Sequence, residues 1–345
     1  MEYRQLGRSG LRVSTLTLGT MTFGGEGFFG NLGDTDVTGA RRQIDMSLEA
    51  GVNLVDTANM YSTGTAEEIL GKAVEGRRDD LLISTKVRMP MGSGPNDAGL
   101  SRHHVREQAE ASLRRLGTDH IDLYHVHTWD GQTPLEETLE ALDTLVRSGK
   151  VRYLGVSNHT GWQLMKALGV ADRHGYQRFV ANQIYYSLES RDAEYELVPA
   201  SVDQGLGILV WSPLAGGLLS GKYRRGQQAS NGRHLTEWSE PPVRDEEKLY
   251  DTIETVVDIA HSHGSSPAQI SLAYLLRKPA VTSLVIGART DDQLRDNLGA
   301  AEIELGDEEY ERLDKISAPW LIYPHWHQAA TASDRFGTPD RALHG

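Results

Sequence analysis

The chain has 345 residues, no cysteine, 39% apolar residues and a formal net charge of −13, enough for one large barrel or two ordinary domains. Without thiols there are no disulfides, no thiol catalysis and no cysteine-ligated zinc, which fits a reducing compartment. The acidic balance repels phosphate and excludes a general nucleic-acid binder, while leaving room for one local basic pocket.

In chain order, the first fourteen residues read as a small hairpin that turns at Arg8-Ser9-Gly10 and caps a barrel floor. They carry no apolar core of a secretory signal, and no later apolar run reaches the ~18 residues of a membrane helix. The cytoplasm is therefore the expected location, without membrane or nucleic-acid partners. Eight strand-like runs follow: Leu16–Leu18, Val52–Val55, Leu81–Ser84, Ile121–Val126, Val151–Val156, Phe179–Ile184, Gly207–Val210 and Leu284–Ile286. Amphipathic stretches stand between them. Val37–Ala50 stops at Gly51, and Thr65–Val74 stops at Gly76. Ser101 opens a helix that Leu116-Gly117 closes, Pro134 sits in a first helical turn whose continuation Leu135–Val146 carries an apolar face, and Asp291–Leu298 follows the last strand. Eight β-then-α units favour a closed (β/α)8 TIM barrel of the α/β class over an open doubly wound sheet. On this reading residues 1–345 form a single domain, with the hairpin over 1–14 and a C-terminal extension over 316–345.

Three stretches interrupt the rhythm. Phe23–Gly33, after the first strand, is glycine-rich and carries Phe28 and Phe29. Ser212–Arg244, after the seventh, is long and polar, as functional loops often are. The tail from Ala318 holds Trp320, Tyr323 and Trp326 and is either a lid or a packed extension.

Barrel enzymes carry reacting groups at the C-terminal ends of their strands. The second strand runs out through Asp56-Thr57-Ala58-Asn59-Met60-Tyr61, the third ends in Ser84-Thr85-Lys86, and the fourth in His125-Val126-His127. The fifth ends in Gly155-Val156-Ser157-Asn158, the sixth carries Asn182-Gln183, and the seventh ends in Trp211-Ser212-Pro213. Singly, each group has an ordinary role: Asp56 a loop cap, Tyr61 a rim residue, Lys86 a solvated charge, His127 a core histidine. Together they form a proton-transfer device. A phenol ordinarily titrates near 10, and a neighbouring ammonium makes it more acidic. Asp56 would keep Lys86 charged, and His127 would donate a hydrogen bond to a carbonyl oxygen that hydride turns into an alkoxide.

The run Gly51-Val52-Asn53-Leu54-Val55-Asp56-Thr57-Ala58-Asn59-Met60-Tyr61 resembles the first signature of the aldo-keto reductases. Lys86, the block Ile121–His127 and Gly155-Val156-Ser157-Asn158 follow in that family's order, and the resemblance spans about residues 1–305. It implies NADPH-dependent reduction of an aldehyde or ketone, an oxidoreductase acting on CH–OH donors. Tyr61 would be the general acid within a tetrad of Asp56, Tyr61, Lys86 and His127, with His127 rather than His125 in the family's histidine position. No Gly-x-Gly-x-x-Gly turn opens a βαβ unit here, and the resemblance accounts for this by an extended coenzyme lying across the strand ends. Ser157, Asn158 and Gln183 would hold the nicotinamide carboxamide, Trp211 would stack on the ring, and Thr20 and Met21 would touch it from the other side. Ser212, Leu214, Gly216, Leu218, Ser220 and Lys222 resemble the family's pyrophosphate-covering loop. Gly287, Arg289, Gln293 and Asn297 stand where the family places the adenosine 2′-phosphate, and Arg289 suits a bidentate pair with it. The Trp211-Ser212-Pro213-Leu214 block and the Gln293/Asn297 pair are similar to bacterial reductases related to potassium-channel beta subunits. Those subunits carry asparagine where this chain has His127.

Trp129, just past His127, is expected to wall an apolar substrate pocket beside Tyr61 and His127, and the loop Phe23–Gly33 to close over it. The partner would be a small carbonyl compound, and a homo-oligomer is compatible with the sequence. Two other classes stay open: a coenzyme-binding regulatory subunit with slow turnover, and a lyase forming a Schiff base on Lys86. His125 and His127, two apart on a strand, face one side. The fifth, sixth and eighth strand ends offer no ligands to complete a metal shell around them, so no metal is expected.

Overall fold

A computed structural model describes residues 1–344 apart from 228, 230, 231 and 236–239, and Phe28 by its backbone alone. Those seven positions lie in the expected long loop Ser212–Arg244, and the Phe28 ring lies outside the described atoms. The elements, in chain order, are strands β1 (Tyr3–Gln5), β2 (Arg12–Ser14) and β3 (Leu16–Gly19), helix α1 (Val37–Glu49), β4 (Leu54–Asp56), α2 (Thr65–Ala73), β5 (Leu82–Val87), α3 (Arg102–Leu116), β6 (Ile121–Val126), α4 (Leu135–Arg147), β7 (Val151–Ser157), α5 (Gly161–His174), β8 (Phe179–Tyr185), α6 (Ala193–Gln204), β9 (Gly207–Trp211), α7 (Glu246–His263), α8 (Pro267–Leu276), β10 (Val281–Ile286), α9 (Asp291–Leu298), α10 (Asp307–Ile316), α11 (His325–Thr331) and α12 (Arg341–His344). Strands β3 to β10 close into a parallel barrel, β10 pairing with both β9 and β3. The protein is thus a (β/α)8 barrel. β1 and β2 form the expected antiparallel hairpin.

Helix boundaries follow local chemistry. Ser101 accepts a hydrogen bond from the His104 N–H and starts α3, while Gly117, at φ 64°, ends it in the left-handed conformation that glycine adopts without steric cost. Pro134 stands just before α4 rather than inside its first turn. Val52 and Asn53, expected in a strand, belong to the turn after α1, where the Val52 N–H bonds the Ser47 carbonyl. The sequence pattern announces no element between Arg244 and Leu284, yet α7 and α8 fill most of that interval. The tail lies along α6: Tyr195 stacks on His325 with ring centres 5.3 Å apart. Trp320, Tyr323 and Trp326 are exposed.

Alternation along the strands builds the interior in layers. Leu54, Leu123, Ala181 and Leu209 point inward and meet Leu6 and Val13 of the hairpin, which plug the floor. One step higher on the same faces, two residues on, stand Asp56, His125, Gln183 and Trp211. The apolar layer seals the bottom and the polar layer opens at the strand C-termini. His125 occupies the barrel centre opposite Gly155, where any added Cβ would overlap its imidazole ring.

Gly155→Ala is expected to destabilise the fold by about 1–3 kcal/mol through overpacking. Gly169→Ala, at a helical position with nothing close by, is expected to be neutral or to stabilise by up to about 1 kcal/mol. Urea denaturation of both variants checks the contrast.

Candidate active site

The inward faces of β4, β5 and β6 deliver an acid, an amine and an imidazole to one place. Lys86 is fully buried, and its Nζ donates to Asp56 Oδ2 at 2.5 Å and to the Thr57 carbonyl at 2.8 Å. The same Nζ donates to the Tyr61 hydroxyl at 3.3 Å. Asp56 Oδ1 accepts from Ser84 Oγ at 2.9 Å and from Gln183 Nε2 at 3.0 Å. The carboxylate is thus tied from β5 and β8 together, and each of its oxygens faces a donor. Burying an ammonium without a counter-charge is prohibitively costly. Here Asp56 and Tyr61 outweigh the burial, and Lys86 sits above its ordinary value of 10.5.

Tyr61 reaches this site because the backbone after it reverses. Ser62, Thr63 and Gly64 have φ of 46°, 55° and 99°, a left-handed run that strains the two non-glycine residues. Ser62 offsets that strain by donating to the Phe23 carbonyl at 2.8 Å and accepting from the Gly25 N–H. This staples the loop after β3 to the tyrosine turn. Phe29, from the same loop, packs on the Tyr61 ring with centres 5.5 Å apart. His127 meets the other side of that ring edge-on at 6.0 Å, so the expected closure of Phe23–Gly33 over the site holds for Phe29.

The expected acidity of the phenol needs a correction. Burial raises the Tyr61 pKa more than Lys86 lowers it, Asp56 raises it further, and the net result stands above 10. Desolvation by the surrounding barrel, invisible in a list of neighbours, outweighs the ammonium. Tyr61 is a firmly protonated phenol with a cation against its oxygen.

His127 and His125 differ in kind. His125 is inside the barrel, its Nδ1 3.1 Å from Ser84 Oγ, and burial pushes its pKa down to about 3. His127 stands one layer higher, beside Tyr61. Burial first, then Lys86, His125 and Arg88, hold it far below the usual histidine range. Its Nδ1 is buried without a hydrogen-bond partner. Among the described residues no cluster of three or more potential metal ligands forms.

The residues expected to hold the coenzyme line the rest of the mouth. Thr20 donates through N–H and Oγ1 to the Asp56 carbonyl at 2.9 and 3.2 Å, and Met21 is half-buried next to it. Ser157 Oγ donates to the Gln183 carbonyl at 2.8 Å. Asn158, at φ 51°, turns its amide to donate to the His127 carbonyl and to accept from Trp211 Nε1 at 3.2 Å. Gln183 is engaged with Asp56 rather than free at the mouth. Trp211 is braced edge-on by Tyr185 at 4.7 Å, and a cleft of about 380 Å³ opens on its flank, bordered by Asn158, Tyr185 and Pro241. The Trp129 ring packs on His159 and Trp162 at 5.3 and 5.6 Å, and none of the described ring contacts joins it to Tyr61 or His127.

After β9, Ser212, Ala215, Gly216 and Gly217 all have positive φ, and Ser212 Oγ accepts from the Gly216 N–H at 3.1 Å. Leu214 and Leu218 face the core, while Ser220 Oγ caps the turn on the Gly217 carbonyl. Lys222 stands above this turn, its pKa lowered by burial and by Arg289 and Arg233. An ammonium depressed by two neighbouring guanidiniums marks a place suited to an anion. Arg289 Nε and Nη2 donate to the carbonyls of Leu32 and Asn31. Its Nη1 has no described partner. Gln293 Oε1 accepts from the Arg289 N–H, Gly287 stands just ahead of α9, and the buried Asn297 lies in its last turn. Sequence reasoning missed Arg233, Ser62, Ser84, Tyr185 and Arg88. Ser84 and Tyr185, on the inward alternation of β5 and β8, carried a usable signal.

A profile of the Aldo/keto reductase family matches residues 15–318. The chain belongs to the aldo/keto reductase family. It is 42% identical over 327 residues to an uncharacterized oxidoreductase, YrpG, of Bacillus subtilis, covering 92% of this chain and 96% of that protein. It is 36% identical to a probable voltage-gated potassium channel subunit beta of Arabidopsis thaliana, covering 88% and 92% of the two chains. It is also 36% identical to protein tas of Escherichia coli, covering 94% and 99%. Oxidoreductases of this family act on carbonyl compounds, and no helix among the described residues is long and apolar enough to cross a membrane.

The buried histidines predict acid lability. Burial also pushes His159 down to about 4, with its Nδ1 on the Ser157 carbonyl. Unfolded histidines take up protons below about 6.5 while the folded ones stay neutral, so stability falls as pH drops from about 6.5 toward 4. Urea midpoints at pH 7, 6 and 5 should decline, and His159→Asn, which keeps a donor for Ser157, should flatten the decline.

Proposed function

We propose that the protein reduces an aldehyde or ketone to an alcohol with NADPH, Tyr61 supplying the proton. The observation that carries this reading is the Lys86 ammonium held by Asp56 and directed at the Tyr61 hydroxyl. Bound at the mouth, the coenzyme would supply hydride to the carbonyl carbon. The protein's part is to receive the charge that results. His127, neutral, donates one N–H toward the carbonyl oxygen and draws electron density onto it. As that oxygen becomes an alkoxide it takes the Tyr61 proton, and the phenolate left behind faces Lys86 Nζ at 3.3 Å. The ammonium therefore favours the state after proton transfer more than the state before it, which is what lowers a barrier. Water returns the proton to Tyr61.

Ser157, Asn158, Gln183 and Trp211 would orient the nicotinamide between β7, β8 and β9, with Thr20 and Met21 opposite. Ser212, Leu214, Gly216, Leu218, Ser220 and Lys222 would cover the pyrophosphate. Lys222, Arg233 and Arg289 give the phosphate end the chemistry of a triply cationic pocket in a chain of net charge −13. That supports NADPH over NADH. The ammonium state of Lys86 also weighs against a Schiff-base lyase, because a protonated amine has no lone pair to attack a carbonyl.

Tyr61→Phe is expected to lower kcat for carbonyl reduction by about 10²–10⁴-fold while NADPH affinity, read by quenching of protein fluorescence, changes little. Retained turnover would remove Tyr61 as the acid, and tight NADPH binding by wild type with no substrate-dependent oxidation would favour the regulatory reading. Arg289→Ala is expected to weaken NADPH binding by about tenfold or more relative to NADH, in line with the loss of a charge-assisted pair. Equal weakening of both coenzymes would place the phosphate elsewhere.

A further inference from the structure

Resting on the carbonyl-reductase reading, we propose that Arg88 selects carbonyl substrates that carry a carboxylate, gripping that group at the rim of the site. Arg88 is the first residue past β5, two beyond Lys86. The Val87 carbonyl next to it accepts from the His127 N–H at 2.9 Å, and the Arg88 carbonyl accepts from the Gly99 N–H at 2.8 Å. The arginine is thus pinned between the strand and the base of the 88–99 loop, alongside His127, whose imidazole feels its charge. Its φ is 137°, a value that favours glycine and that an arginine adopts only where the surroundings enforce it.

Among the described residues the guanidinium held there lacks a counter-charge. Nε is buried with no acceptor, and Nη1 reaches only the Met89 sulfur, at 3.8 Å. No carboxylate among the described residues pairs with it. Arg78 and Arg115, comparably sheltered, each have one: Asp122 at 2.6 Å and Glu67 at 2.7 Å. A half-buried guanidinium with an orphan N–H is destabilising unless something completes it. A neutral acceptor would satisfy the N–H and leave the charge alone. A carboxylate matches both the charge and the planar fork. Since Arg88 stands beside the residue proposed to polarise the carbonyl, the carboxylate belongs to the substrate, as in formyl or oxo acids.

The test compares 4-carboxybenzaldehyde with its methyl ester, which keeps the aldehyde and removes the charge, in wild type, R88Q and R88K at saturating NADPH. Wild type is expected to prefer the acid. In R88Q the acid-to-ester ratio of kcat/KM should fall about ten- to a hundredfold, mainly through KM, with R88K between the two. Parallel loss on both substrates, or a wild-type preference for the ester, would overturn the assignment. A second readout needs no turnover: calorimetric titration of 4-carboxybenzyl alcohol and its methyl ester into wild type and R88Q. Acid binding lost in R88Q supports the site, and equal acid binding by both proteins overturns it. Should neither aldehyde be reduced while acid binding depends on Arg88, the reductase reading fails and the anion site stands. Reduction without any dependence on Arg88 would keep the reductase reading and remove the anion site.

Discussion

Everything at the mouth of this barrel is organised around one buried charge, the Lys86 ammonium. It is fully buried with Asp56 at 2.5 Å and a main-chain carbonyl at 2.8 Å. A buried ion pair of this kind contributes little net stability, whereas removing one partner costs about 3–5 kcal/mol. Its value is positional. Asp56 is fixed by Ser84 and Gln183 from two other strands, so the ammonium cannot drift, and its remaining direction is the Tyr61 oxygen. Burial, reinforced at His127 by Lys86, keeps His125 and His127 neutral, and a neutral imidazole donates a hydrogen bond without adding a second positive charge.

The barrel creates the conditions for that charge. An apolar layer of Leu54, Leu123, Ala181 and Leu209, closed from below by Leu6 and Val13, keeps water out. The polar layer two residues further along the same strand faces then has only itself and the open mouth to satisfy it. The mouth is finished by loops whose backbone is bent against ordinary preference, at Ser62-Thr63-Gly64 and at Ser212 to Gly217. Such strain persists where the surroundings over-determine it. Ser62, bonded to both Phe23 and Gly25, is a local example.

Much of this was legible in the sequence. Eight strand runs separated by amphipathic stretches dictated the barrel, and the strand ends carried Asp56, Lys86 and His127 to one mouth. What escaped has physical reasons. The helices α7 and α8 fall in the interval between the long seventh loop and the last strand. There the one-strand-one-helix rhythm breaks, and α8 is buried nearly all round, from Ala268 to Leu275, with no amphipathic stripe to announce it. The direction of the Tyr61 shift escaped because adjacency names the ammonium but not the depth of burial opposing it. Arg88 lies just past the strand that carries Lys86, and its lack of a counter-ion among the described residues is a fact of three dimensions.

Lys86 is an ammonium in the folded protein because Asp56 holds it so, and the proton transfer proposed for Tyr61 depends on that charge. Nitrogen-15 spectra of lysine-labelled protein, with the Lys86 signal assigned from Lys86→Met, report its charge directly. The expected result is an ammonium resonance that persists past pH 10.5 and titrates at lower pH in Asp56→Asn. A neutral Lys86 amine at pH 7 in the wild-type protein would contradict it.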